Sequence, residues 1–474
     1  LQNPMCKLQK LDLSNSDIDK ECFSILANGL VKNRKLRSLK LSSILCINNG
    51  LRAFSVCLQS PASALTKLDL GQSNIEDKGA ATLGRYLGNN SSLKILNLCA
   101  NKLISEMGWQ AFSTCLWNPN SALEELNLCD SSIDNEGIAT LGDALGNNKK
   151  LKTLFLGSNG AIGAPGWEAF SSCLRNPNSA LEKLYISSNK VGSTGIAALG
   201  NALSTNTTLS ILDLSRATGS SISAGWQTFA TCLRSPNSAL AELNLSYNNI
   251  DDDAAVALGD ALTNNTKLKV LNLCHNEQIG TGWRVFFNRL LNPDSALKRL
   301  DISHNNIDNE GVAALSRSFA YMRSILSLDL IDNRSITTTG WLVLTTLLQS
   351  PISLIKEINI YNNNINDEVL IAFATALADN TKLQTLWLKA DGAITLRGWD
   401  ALSQLLCNKS SIDSIYSSNH TLRNICPEAS APKDIVSSLH LNKNNNKAEV
   451  ARQKILQHHF LSDRENTNVQ EFTR

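Results

Sequence analysis

Apolar residues return along this chain in a fixed hexad, Leu-x-x-Leu-x-Leu or a close variant. It begins at Leu8, Leu36, Leu65, Leu93, Leu123, Leu151, Leu181, Leu209, Leu240, Leu268, Leu297, Ile325, Ile355, Leu383 and Ile412. These fifteen starts lie 28 to 31 residues apart. Inside each interval the apolar period changes from 2 to about 3.6, which predicts one short strand, a loop and one helix per interval. The last two leucines of a hexad share one side of the strand, and Ala257, Leu258, Ala261 and Leu262 form a stripe on the helix of their repeat. Both elements must bury toward the same space, and no single repeat can do so alone, so the repeats are expected to stack.

Two kinds of repeat alternate, giving a true period near 58 residues. One runs Leu240-Ala-Glu-Leu-Asn-Leu-Ser-Tyr-Asn-Asn-Ile250 and continues Ala/Leu-rich to Leu262. The other carries Gly225-Trp226, Phe229 and Cys232-Leu233, then Ser235-Pro236-Asn237-Ser238-Ala239. Asn101, Asn159, Asn189, Asn248, Asn276, Asn305, Asn333 and Asn363 each stand three residues after the last apolar residue of a hexad. A buried carboxamide there is expected to bond the backbone of the neighbouring turn. Trp109, Trp167, Trp226, Trp283, Trp341 and Trp399 each follow a Gly at the head of a helix. A row of indoles can stack nucleic-acid bases, but their fixed phase on helices points to packing between adjacent repeats. Pro61, Pro119, Pro177, Pro236, Pro293 and Pro351 are expected to end the same helices. Cys57, Cys115, Cys173 and Cys232 share one helical phase beside Leu and read as small buried hydrophobes.

The repeats, Leu-x-x-Leu-x-Leu-x-x-Asn-x-Ile/Leu-x-x-x-Gly with a long amphipathic helix, resemble leucine-rich repeats of the ribonuclease-inhibitor type. The resemblance covers about residues 1–426 and implies an α/β solenoid, a horseshoe with a parallel sheet on its concave face and helices on its convex face. The family includes ribonuclease inhibitors, Ran GTPase-activating proteins and the sensing arms of innate-immune receptors, so it specifies fold and leaves function open. The opening Leu1-Gln2-Asn3-Pro4 matches the phase of Leu116-Trp117-Asn118-Pro119, from which a solenoid truncated at its N-terminus is expected. Residues 427–461 are expected to cap the last turn with an amphipathic helix, Lys447–Leu461, that carries Val450, Ala451, Ile455, Leu456 and Phe460 on one side; the alternative is a basic helix that binds a partner. Residues 462–474 read as a disordered tail.

In such a strand the residues flanking the fourth and sixth hexad positions point into the cavity, giving three columns down the sheet. They hold six basic and eight acidic residues, a mixed surface. A trap for a strongly basic ribonuclease calls for a strongly acidic face, so ribonuclease inhibition is not expected. The second column places Phe155 next to Tyr185 and Trp387 next to Tyr416, the latter pair joined by Tyr361 and Lys389. Aromatics on adjacent strands can form a rigid contact patch of the kind that dominates an interface; alternatively they only stack on each other. These six residues are the candidate protein-binding site.

Formal net charge is +2, which supplies no bias toward nucleic acid or anionic membrane, and no apolar run is long enough for a transmembrane helix. No Cys-x-x-Cys, Gly-rich phosphate loop, Gly-x-Ser-x-Gly or His-Glu-x-x-His occurs. Cys99 with Cys129, and Cys274-His275 with His304, can be drawn as partial metal sites, but neither offers four ligands. The expectation is therefore a non-enzymatic, monomeric scaffold without cofactor or metal, holding a protein partner on the concave face. Free thiols favour a reducing compartment, cytoplasm or nucleus. Two alternatives stand beside it: a Ran-type GTPase activator acting on a small GTPase, and the ligand-sensing arm of a larger NOD-like receptor. The resemblance implies an acidic C-terminal segment for many such activators, whereas Lys433, Lys443, Lys447, Arg452 and Lys454 make this one basic.

Overall fold

Of the chain's 474 residues, the computed structural model describes 7–31, 33–44, 47–60, 63–217, 223–389, 393–426 and 431–460. Two compact units divide it, Leu1–Asn248 and Asn249–Arg474. The first contains strands β1 (Lys10–Asp12), β2 (Ser38–Lys40), β3 (Lys67–Asp69), β4 (Ile95–Asn97), β5 (Glu125–Asn127), β6 (Thr153–Phe155), β7 (Lys183–Tyr185), β8 (Ile211–Asp213) and β9 (Glu242–Asn244). The second contains β10 (Val270–Asn272), β11 (Arg299–Asp301), β12 (Ser327–Asp329), β13 (Glu357–Asn359), β14 (Thr385–Trp387) and β15 (Asn424–Cys426). Within each unit the strands pair in chain order, all parallel, with leucine opposite leucine, as in Leu154↔Leu184. The central residue of nearly every strand is buried and its two neighbours stay partly exposed, which confirms the first two columns. Full burial of one such leucine contributes about 2–3 kcal/mol.

The polar residues between strand and helix hold successive repeats together. Asn159 is fully buried. Its Nδ2 donates to the carbonyls of Leu128 and Leu156, 2.9 Å each, and its Oδ1 accepts from Ser131 N and Ile133 N at 2.9 and 3.2 Å. Asn101, Asn305, Asn333 and Asn363 make the same kind of bridge. Just before each, one residue lies in the left-handed region, including Ala100, Ser158, His304 and Asp332. That backbone conformation is costly for a side chain bearing a Cβ, and the asparagine bonds on either side hold it in place.

A second asparagine row, which the hexad pattern did not suggest, stands three residues before alternate strand leucines. Asn148 Oδ1 accepts from Leu151 N at 2.7 Å, and its Nδ2 donates to the Leu116 carbonyl at the preceding helix end. Asn206 and Asn380 repeat the arrangement.

Trp109, Trp167, Trp226, Trp283 and Trp341 are fully buried and cannot stack on bases. Four of them meet a phenylalanine edge-on, as in Trp167–Phe170 at 5.8 Å and 80°. The preceding glycine is required by close approach. A Cβ at Gly282 would stand 2.7 Å from Asp252 Oδ1, the atom that accepts from Gly280 N and Gly282 N and so caps the next helix from the preceding repeat. Asn118, Asn176 and Ser350, each directly before a proline, leave the helix in extended conformation. Cys57, Cys115, Cys173 and Cys232 are buried, and burial pushes the thiols of Cys57 and Cys115 up to about 12.

The last hexad is corrected. Ile412 does not open a strand, because Ile412–Tyr416 is a short helix whose start is capped by Ser411 Oγ accepting from Ser414 N at 3.0 Å. The fifteenth strand begins later, at Asn424, with Ile425 opposite Leu386. Asn419 sets that register: it takes the place of Asn148, accepting from Leu422 N at 2.9 Å and donating to the Leu377 carbonyl at 2.8 Å.

The expected amphipathic helix is also shorter. Lys447–Ile455 is α-helical and passes into a wider turn at Leu456–Phe460. It buries Val450, Ala451 and Lys454, while Leu456 and Phe460 face solvent. An unforeseen helix, Lys433–Asn442, packs beside it. The tail 462–474 lies outside the described residues.

Candidate protein-interaction surface

Five of the six candidate residues fall into two patches, one in each unit. In the first unit Phe155 and Tyr185 are paired across β6 and β7, and their rings stack at 4.6 Å and 9°. Both stay half-exposed on the open face of the sheet. Burial first, then the negative charges of Glu242, Asp213 and Glu125, push the Tyr185 phenol above its ordinary pKa. The patch is thus an aromatic platform in an acidic surround.

In the second unit Trp387 ends β14 opposite Asn359, with 37% of its surface exposed. Its Nε1–H donates to Glu357 Oε1 at 2.9 Å, which fixes the ring without covering it. Glu357 also accepts from Ser327 Oγ at 3.5 Å and lies 3.9 Å from the Arg299 guanidinium. Tyr361 is equally exposed, and Lys389 Nζ donates to Asn362 Oδ1 at 3.2 Å beside it.

Tyr416 is the correction within the set. It sits on the short helix Ile412–Tyr416, so the residue opposite Trp387 on the neighbouring strand is Cys426. Ser414 and Ser418, the other residues flanking the fourth and sixth positions of the Ile412 hexad, leave the columns with it: Ser414 lies on the same helix, and Ser418 just beyond it bonds back to the Ser414 carbonyl. The Asn419-x-x-Leu422 spacing, identical to Asn380-x-x-Leu383, carried the signal that locates the true strand.

Column positions on β11 to β13 assemble a group that residue-by-residue reading did not single out. Asp301 and Asp329 occupy adjacent second-column positions in register, with Arg299 and Glu357 beside them. Burial and then the Asp301 charge push the Asp329 carboxyl up to about 7, opposed by a hydrogen bond from Ser303 Oγ at 3.3 Å. His275 and His304 stack at 4.1 Å and 9°, and His304 Nδ1 lies 3.3 Å from Asp332 Oδ2. Burial, followed by Asp301 and Asp329, pushes the Cys274 thiol up to about 12. Cys99 and Cys129 are both free. Among the described residues no group of three or more His, Cys, Asp or Glu side chains is placed to hold a metal ion, and no helix is long and apolar enough to cross a membrane.

Comparison with known proteins agrees with this construction. A family model described as "Leucine Rich repeat" matches residues 63–84, 178–200, 237–259 and 295–316. The chain is 29% identical over 335 residues to mouse "NACHT, LRR and PYD domains-containing protein 14", which covers 70% of this chain and 33% of that protein. It is 26% identical over 370 residues to pig "Ribonuclease inhibitor", covering 78% of this chain and 80% of the inhibitor. The chain therefore spans about a third of the length of the first relative and most of the second. Against solved structures it aligns with a chain of "Crystal structure of TLR13-ssRNA13 complex" at TM-score 0.44 and 19% identity, over 81% of this chain and 56% of that one. That likeness is too slight to carry the RNA of that complex over to this protein. The alternating strand-and-helix repeats, their buried asparagine rows and these matches make the chain a leucine-rich-repeat protein of the ribonuclease-inhibitor type.

Proposed function

We propose that this protein is a non-enzymatic scaffold that binds a protein partner through the open face of its sheet. The observation that carries the reading is Trp387, a large indole more than a third exposed and held in one orientation by its bond to Glu357. Ordering such a ring in advance removes much of the entropy cost of binding, and a fixed aromatic is the residue type that dominates interfaces. Tyr361 beside it extends the contact, and Phe155 with Tyr185 supplies a second, independent platform in the first unit. Leucine-rich-repeat proteins generally serve as interaction scaffolds, which supports the same conclusion. A second reading is favoured by the relatives named for NACHT, LRR and PYD domains, of which the chain covers about a third. There the repeats act as the recognition arm of a longer protein.

The test is affinity capture from cell extract with the wild-type chain, with Trp387→Ala and with Phe155→Ala/Tyr185→Ala, each checked for folding, with retained proteins identified by mass spectrometry. A protein held by wild type and lost from either variant supports the scaffold. If that protein is a small GTPase, a GTP-hydrolysis assay decides whether the chain also activates it. Equal retention by all three removes the aromatic patches from the interface.

A further inference from the structure

The imidazole of His420 is held on both of its nitrogens. Nε2 lies 3.2 Å from the Tyr416 carbonyl oxygen, and Nδ1 lies 3.2 Å from Nζ of Lys454. A carbonyl only accepts and an ammonium only donates, so a neutral ring with its hydrogen on Nε2 is the form that satisfies both. Lys454 is fully buried and donates as well to the Leu406 carbonyl at 2.6 Å, at the open end of the helix Leu396–Leu406. From the helix Lys447–Ile455, which also carries Lys454, Lys447 Nζ donates to the His420 carbonyl and to the Asn442 carbonyl. Two ammonium groups of Lys447–Ile455 therefore grip one loop, with the ring between them and the last repeat.

The surroundings offer little negative charge to a protonated ring. The chain leaving Leu406 brings the Cys407 thiol and Lys409. The helix Lys433–Asn442 brings Asp434, whose carboxylate already accepts from Ser403 Oγ at 2.5 Å. The approach to β15 brings Arg423, bonded to Asn445 Oδ1 at 3.0 Å, and the last turn brings His458. Burial first, then the Lys454 charge, hold the His420 pKa at about 4, against an ordinary 6.5.

We infer that His420 is an acid-operated latch on the C-terminal cap: a proton on Nδ1 removes the acceptor for Lys454, sets two cations face to face, and frees the helix Lys447–Ile455 from the end of the repeats. The sign follows from linkage. Between about pH 6.5 and 4 the released state binds the proton more readily than the closed one, so the cap is fully held above this window and weakens as pH falls through it. Release uncovers Val450 and Ala451 together with the buried residues they cover, creating in acid an apolar surface that neutral pH conceals.

Hydrogen exchange of the full chain, corrected for intrinsic rates, tests this between about pH 7.5 and 4.5. The expected result is a loss of protection of about tenfold or more in Lys447–Ile455, while β13 keeps its own. His420→Gln can accept from Lys454 and donate to Tyr416 without titrating, so its cap should stay protected throughout. The same loss in His420→Gln, or no loss in wild type, overturns the latch. Should that variant fail to fold, NMR titration of His420 in the wild-type chain decides. Protonation that coincides with loss of cap protection upholds the latch, and protonation with the cap intact refutes it.

Discussion

From Phe155 to its partner Tyr185 the chain uses one ordinary repeat, and the two rings end up face to face. From Trp387 to its partner Cys426 it inserts the short helix Ile412–Tyr416, and the aromatic that should have matched Trp387 is carried out of the sheet. Both stretches contain a hexad at the expected spacing. They differ in what competes with it: Ser411 caps a helix that begins at Ile412, and Asn419 satisfies the backbone that enters the sheet at Leu422. The lesson is that apolar spacing proposes a strand, while the side chain that satisfies the incoming backbone decides where it starts. The consequence for recognition is that one platform is a stacked pair and the other a single indole fixed by a carboxylate.

The largest effect should come from the asparagine rows. Asn159→Ala leaves two N–H groups and the Leu128 carbonyl unpaired in the interior, while the Leu156 carbonyl keeps its bond from Asn189, and a loss of about 3 kcal/mol is expected in urea denaturation. Asn419→Ala removes a comparable set, but in the terminal repeat, so a loss of about 2 kcal/mol should appear as local opening of β15 and the cap by hydrogen exchange. Equal, global losses in both would dissolve the contrast between interior and end.

Next is Trp387→Ala, expected to weaken partner binding by about 2 kcal/mol in calorimetry, against about 1 kcal/mol for Phe155→Ala, whose ring is already partly covered by Tyr185. A larger loss at Phe155 would make the stacked pair the main anchor.

A smaller effect concerns Asp329, whose carboxyl is raised to about 7 from 3.8. The folded chain holds this proton more tightly than the unfolded one, so its contribution to stability is present below about pH 4 and is lost as pH rises toward 7. Asp329→Asn should stabilise the second unit by on the order of 1 kcal/mol above neutrality, with little change in acid. An unaltered pH profile of melting would show that Asp301 does not repel Asp329 in solution.

The smallest effect is expected at Tyr416, where alanine should change affinity by less than about 0.5 kcal/mol because the side chain lies off the sheet. A loss matching that of Trp387→Ala would restore it to the interface.

Much of this was legible in the residues. Repetition makes each inference test itself many times over: fourteen strands, the buried tryptophans and the structural asparagines Asn101 to Asn363 follow from period and phase, since local sequence and stacking demand the same answer. The row containing Asn148 was present in the sequence but hidden, because its partners are carbonyls about thirty residues away. The displacement of Tyr416, the inward turn of Lys454 and the charge crowding at Asp329 depended on tertiary structure alone. Each arises where residues distant in sequence compete for one backbone group or one volume, and an exposed helix cap, a buried carbonyl or a neighbouring carboxylate then outweighs local pattern.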